Sequence, residues 1–309
     1  MSSKNVLFFG AIFFGVLMLS TPANSNKFEA AAIDSCDATS TCTNIQTGTD
    51  NSQENNCTDF STCQNEAHGD MNSQTHTCDA TPGSEFFSGC SNSAFGNRNT
   101  QVADCANIGG FGCFNAARGD GNTQGIKCTT DNLNVCFNRA NGNDNTQRTD
   151  CDSVGEFGCS NTANGNANAQ NSDCTNIGRL GCQAFSEGNG NSQTVNCTNV
   201  EFGCINSAEG NGNSQTVNCT NVDVGCANFV EGDGNSQTLS CTRMSTICSN
   251  TSPESFSSNS QQTICANGGS CSNVGENTNI IANGADCSSK DPGTTTICQP
   301  GRNLTLPTS

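Results

Sequence analysis

The chain has 309 residues, a formal net charge of −17, 24 cysteines, no Trp and no Tyr, and only five Leu beyond residue 27. So little large apolar surface cannot offset folding entropy through one wide hydrophobic core, which leaves repeated local pairing and covalent staples as the source of order. The acidity excludes nucleic acid, because nothing here would neutralise phosphates, and excludes attachment to anionic membrane surfaces.

Residues 1–25 read as a secretory signal peptide. Lys4 supplies the positive start, Val6 to Leu19 the apolar run, and Ala23-Asn24-Ser25 the small-residue cleavage site. An uncleaved membrane anchor is the competing reading, and no membrane contact is expected beyond this segment. The cysteines agree with export. They are even in number and dense, with no Cys-x-x-Cys pair, so they read as disulfides in an oxidising, extracellular or cell-surface location. Residues 26–35 form a lead-in, 36–298 a repeat region and 299–309 a polar C-terminal tail.

The repeat dominates. An Asn-[Ser/Thr/Ala]-Gln triplet starts at Asn51, Asn72, Asn99, Asn122, Asn145, Asn168, Asn191, Asn213, Asn235 and Asn259, and a Cys follows each Asn by six positions. In the first nine, another Cys precedes the Asn by nine. The segment Cys204 to Cys219 shows the unit: Cys, Asn206 two residues on, Ala208, a Gly210 corner, Asn213, Gln215, Cys219. Alternation puts Cys, Asn, Ala and Gly on one face of a first strand, and Asn, Gln and Cys on the matching face of a second. Glycine and asparagine suit the tight bend between them. The connections between units vary in length and read as surface loops.

The expected fold is therefore all-β: a disulfide-stapled β-solenoid of about 12 two-strand coils, 21–27 residues each. Stacking at about 4.8 Å would bring identical residues into columns, with Asn and Gln hydrogen-bonding along the stack. Toward the C-terminus the coils lose the Gly corner and gain Pro253, Pro292, Pro300 and Pro307, as a cap against further edge pairing would require.

Parity bears on the cysteines. Pairing across the short connections uses all 24: Cys36 with Cys42, Cys57 with Cys63, Cys78 with Cys90, Cys105 with Cys113, Cys128 with Cys136, Cys151 with Cys159, Cys174 with Cys182, Cys197 with Cys204, Cys219 with Cys226, Cys241 with Cys248, Cys265 with Cys271 and Cys287 with Cys298. Pairing across the fixed units strands Cys36 and Cys298. The count favours the first scheme, and pairing between rungs remains open.

The run Gly210-Asn211-Gly212-Asn213-Ser214-Gln215-Thr216-Val217-Asn218-Cys219-Thr220-Asn221 resembles curlin repeats, the units of bacterial curli-type fibres. The resemblance extends over nearly the whole repeat region and rests on a low-complexity pattern. It implies two-strand coils with inward Asn and Gln ladders and a structural or surface role rather than an activity. Cys197, Cys204, Cys219 and Cys226 stand where curlin repeats place Gln or Ser, and disulfide-stapled coils suit a discrete rod.

Candidate sites are few, and catalysis has no recognisable constellation, so no enzyme is expected. His68 and His76 read as surface side chains. Glu187, Glu209 and Glu231 share one offset in three successive coils; the plain reading is a solvated acidic ridge, the functional one a column binding Ca²⁺, with no other cofactor expected. Ser192, Thr194 and Thr198 align with Ser214, Thr216 and Thr220, and again with Ser236, Thr238 and Thr242. This ranked Ser/Thr array resembles insect-type ice-binding solenoids, though exposed strand threonine is also simply common. Asn56, Asn196, Asn218, Asn250 and Asn303 open glycosylation sequons, whose glycans would cover the same face. Arg118-Gly119-Asp120 spells an adhesion tripeptide at an ordinary corner. The partners implied are the chain itself, or an extracellular glycan or surface. The leading expectation is a secreted or cell-surface structural or adhesive protein of a matrix, filament or surface layer. The alternative is a soluble solenoid binding ice, glycan or Ca²⁺.

Overall fold

In the computed structural model the described residues run from 32 to 305, with short gaps at most turns, among them 37–40, 49–51, 59–61, 70–72, 80–87, 120–122, 130–135, 189–191, 211–213, 233–235, 252–259 and 290–294. Residues 1–31, including the expected signal peptide, lie outside them, as do the ten corner asparagines of the triplets. Among the described residues there are 24 strands and no helix, and the chain is a β-solenoid.

The strands pair in two parallel series, each segment bonding to the matching segment one coil later. One series takes the first strand of each unit, as in Cys136–Asn141 on Cys159–Asn164. The other takes the second strand, as in Thr123–Thr129 on Thr146–Asp152 on Ala169–Leu180. Register is residue on like residue: Cys128, Cys151 and Cys174 stack, as do Gln124, Gln147 and Gln170. Equal spacing inside each unit produces this, since a one-residue slip would turn every Cys and Gln to solvent.

Strand burial alternates, with Cys, Asn, Gln and Ala inside. Each interior glutamine donates from Nε2 to Oε1 of the glutamine one coil earlier, in an unbroken run from Gln237 back through Gln215, Gln193, Gln170, Gln147, Gln124, Gln101 and Gln74 to Gln53. The second N–H reaches a main-chain carbonyl across the interior, as from Gln124 to Arg139 O at 2.9 Å. The asparagine ladder runs the other way: Asn65, Asn92, Asn115 and Asn138 each donate from Nδ2 to Oδ1 of the next coil, ending at Asn161. These amides are fully buried, and hydrogen-bonding both protons is what makes such burial tolerable.

The corner glycines stack as closely. Gly142 has φ of +141°, and a Cβ there would lie 2.3 Å from the carbonyl oxygen of Gly119 in the coil below. No other residue fits that approach.

One expectation needs correcting, and the structure adds a strand at each end of the repeat region. The connections are not all irregular surface loops. Ser192–Glu209 and Ser214–Glu231 are continuous 18-residue strands that carry pairing straight through the disulfide turn, with Val200 on Val222 and Phe202 on Val224. The lead-in contributes structure as well, because Ala32–Cys36 pairs with Ser52–Thr58 and sets Cys36 over Cys57. At the other end, the tail supplies a return strand, Asn303–Thr305, antiparallel to Thr295–Gln299. An antiparallel return along the last strand occupies its free edge, a local device against further pairing.

Candidate functional site

Nine disulfides cross the short connections: Cys57–Cys63, Cys78–Cys90, Cys105–Cys113, Cys128–Cys136, Cys151–Cys159, Cys174–Cys182, Cys197–Cys204, Cys219–Cys226 and Cys241–Cys248. Their Cα separations run from 5.8 to 6.6 Å. Cys42 and Cys265 are also bridged, while the side chains of Cys36, Cys271, Cys287 and Cys298 lie outside the described set. The bridged cysteines form a buried sulfur column along one side of the solenoid.

A second buried column lies against it. Val154, Ile177, Val200, Val222 and Met244, each three residues after a second-strand Cys, are buried in five successive coils. From inside, Val195, Val217 and Leu239 close the same space. The connections therefore carry a small apolar core of their own. Just before that column, the turn residues Asn176, Asn199 and Asn221 adopt φ of 56–57° and form a surface ladder, Asn221 donating to Asn199, Asn199 to Asn176, and Asn176 to Asp152. Asparagine tolerates the left-handed region better than most residues. The repeated Cys-Thr-Asn was the sequence signal for this third corner.

On the outer face of the second strand, Ser192, Ser214 and Ser236 are in register, as are Thr194, Thr216 and Thr238, and Thr198, Thr220 and Thr242. All nine are partly or fully exposed. One coil earlier the same ranks hold Ala169, Asn171 and Thr175; one coil later, Ser260, Gln262 and Ala266. The array is thus three coils deep. Between its threonine ranks, Asn218 donates to Asn196, and Asn196 to Asp173.

Glu187, Glu209 and Glu231 stack in register and are exposed, with Asn164 Nδ2 donating to Glu187 Oε2 at 2.9 Å. Of the sequons, Asn56 and Asn218 are exposed and Asn196 is half-buried. The side chain of Asn303 lies outside the described set. Asn250 is a correction. It is fully buried, accepts from Asn228, and donates to Gln262 O and Thr263 Oγ1. It is an interior ladder residue, and a folded coil has no room for a glycan on it.

The histidines divide. His68 is partly exposed, lies 2.6 Å from Glu66 Oε1 and stacks on Phe95. His76, expected at the surface, is wholly buried in the column that holds Asn55 one coil earlier and Ala103 one coil later. Burial lowers its pKa to about 4, opposed by a hydrogen bond to the Ser91 carbonyl. Nε2 lies 3.0 Å from that oxygen, so Nε2 carries the proton, and the bare Nδ1 has no hydrogen-bond partner. A ring nitrogen of His76 and the sulfurs of Cys57, Cys63 and Cys78 all lie within 4.8 Å of one another.

No family model matches the chain, and no curated protein or solved structure matches it either.

Proposed function

We propose that this chain is a secreted or cell-surface structural protein without catalytic activity: a rod of about twelve coils, built as curlin repeats are, that serves in a matrix, filament or surface layer. At about 4.8 Å per coil the rod would be on the order of 58 Å long. The observation that carries this reading is the register itself. Identical residues lie over one another coil after coil, and hydrogen-bonded amide ladders run through the interior of the described coils. An interior built of stacked identical residues suits a spacer or a building block. The buried, bridged sulfur column supports an oxidising, extracellular setting. The partner is another copy of the chain, joined end to end through strand edges.

Electron microscopy of the oxidised, secreted protein, with light scattering on the same sample, tests this. Filaments or ordered layers much longer than one rod, with a strand repeat of about 4.8 Å along the long axis, are expected. Monodisperse rods at all concentrations would overturn it.

A second reading draws on the Ser/Thr face. The three-coil array from Ser192 to Thr242 is in register and open to solvent, which suits an ordered surface such as ice or a glycan. Thermal hysteresis near 0 °C and glycan-array binding separate it from a purely structural role. Replacing Thr194, Thr216 and Thr238 by Ala should abolish either signal while leaving the fold intact.

A further inference from the structure

We propose that His76, Cys57, Cys63 and Cys78 form a tetrahedral zinc-type metal site in the thiol form of the chain, before the bridges close. The four donor atoms already lie within 4.8 Å of one another, and all four residues are buried. Around a Zn²⁺ ion with bonds of about 2.0–2.3 Å, tetrahedral ligands stand roughly 3.3–3.8 Å apart, so each donor needs to move by only about 1 Å. Three thiolates and one imidazole are a common structural zinc set.

The histidine is what marks this coil. Four other buried clusters along the column consist of cysteine alone. Among the described residues, only here does a nitrogen join the sulfurs, in a column that holds Ala103 and Ile126 in the coils that follow. Its Nε2–H is fixed by the Ser91 carbonyl, and the Nδ1 lone pair, buried without a hydrogen-bond partner, is the one left for a metal. A ligating histidine held through its other ring nitrogen is the usual outer arrangement of a metal site. As an interior spacer His76 has little to recommend it, since Ala and Ile fill the same column without leaving a buried polar atom unsatisfied.

Every cysteine starts as a thiol. Binding Zn²⁺ would release three protons from the thiols, and the binding free energy would hold this early coil folded while the bridges are still absent. Thiol–disulfide exchange with an oxidised dithiol carrier of the export compartment, two carrier disulfides being reduced to dithiols, closes Cys57–Cys63 and Cys78–Cys90, removes all three sulfur ligands and expels the ion. The site thus belongs to assembly, not to the finished rod.

Co²⁺ serves as the spectroscopic probe. The full chain, reduced with a phosphine and checked for β-structure by circular dichroism, should take up Co²⁺ with the absorption of a tetrahedral thiolate site. The oxidised chain should not. His76→Asn, which places in this column the residue Asn55 occupies one coil earlier, should weaken that site on the order of tenfold or more and change the spectrum. A second variant, Cys63→Ala with Cys90→Ala, keeps the other bridges and frees Cys57 and Cys78; refolded with Co²⁺, it should bind one ion through two thiolates and His76. Equal Co²⁺ affinity, stoichiometry and spectrum with and without His76→Asn would overturn the proposal, as would no uptake in either form.

Discussion

At the scale of single residues, Gln124 shows what joins one coil to the next. Its amide donates to Gln101 Oε1 and Arg139 O and accepts from Gln147. Gln124→Ala would leave those partners unsatisfied around a cavity with no route to water, and should cost about 3–5 kcal/mol in denaturant unfolding. Thr216→Ala on the outer face should fall within about 0.5 kcal/mol of the parent in the same measurement. His76 gives a pH dependence whose sign follows from its lowered pKa. The unfolded chain takes up the proton near pH 6.5 and the folded chain only near 4, so this contribution is intact above 6.5 and is lost as pH falls from 6.5 toward 4. Its full size is about 3 kcal/mol. The melting temperature of the oxidised protein should fall over that window, and His76→Asn should flatten the part due to this group. The inward positions of Gln and Cys were legible in the sequence because their spacing never changes. His76 was not, because one histidine among polar residues carries no periodic signal, and its burial follows only from register with Asn55.

At the scale of elements, the unit splits into a part whose length is fixed and a part whose length varies, and the two were not equally readable. The fixed part was legible because strands of constant length place second-strand Cys over Cys from Cys57 to Cys265, a run that ends where Ala282 takes the next place. The variable part looked like loop, since changing length usually means surface. The buried residues at its third position show otherwise. Val222, between Val200 and Met244, helps fill the space behind the bridges. Val222→Ala should therefore cost about 2 kcal/mol, a core value, where a loop substitution would cost almost nothing. Calorimetry of the oxidised variant would decide between the two. The apolar column escaped notice because it is one residue per coil, spread over Val, Ile and Met. The asparagine ladder is also interrupted where Ala184 replaces the usual Asn, between Asn161 and Asn206, whose Oδ1 is buried without a partner.

At the scale of the whole molecule, no coil folds on a core of its own, and stability accumulates along the stack. Each bridge closes a loop of only 6 to 12 residues, so its effect on the unfolded chain is modest, about 2 kcal/mol. Replacing one central pair, Cys151→Ala with Cys159→Ala, should lower the unfolding midpoint by about that amount plus a small cavity cost. The circular dichroism should stay that of the parent, because the ladders on both sides persist. Collapse to a disordered spectrum would mean that the bridges, not the amides, hold the solenoid together. The solenoid itself could be read from the period alone, whereas the closing antiparallel strand could not: Asn303–Thr305 lies past the last repeat, and only a completed stack gives it an edge to pair with.

The opposed directions of the two interior ladders have an electrostatic consequence. In an α-helix every peptide dipole points the same way, so partial charge builds up at the two ends. From Asn65 to Asn161 this rod carries two amide columns that point in opposite directions, glutamines donating toward the N-terminus and asparagines toward the C-terminus. Their dipoles cancel coil by coil. Where a coil carries both columns, its side-chain amides add little field along the axis; at Ala184, where the asparagine column is broken, the glutamines run on unopposed.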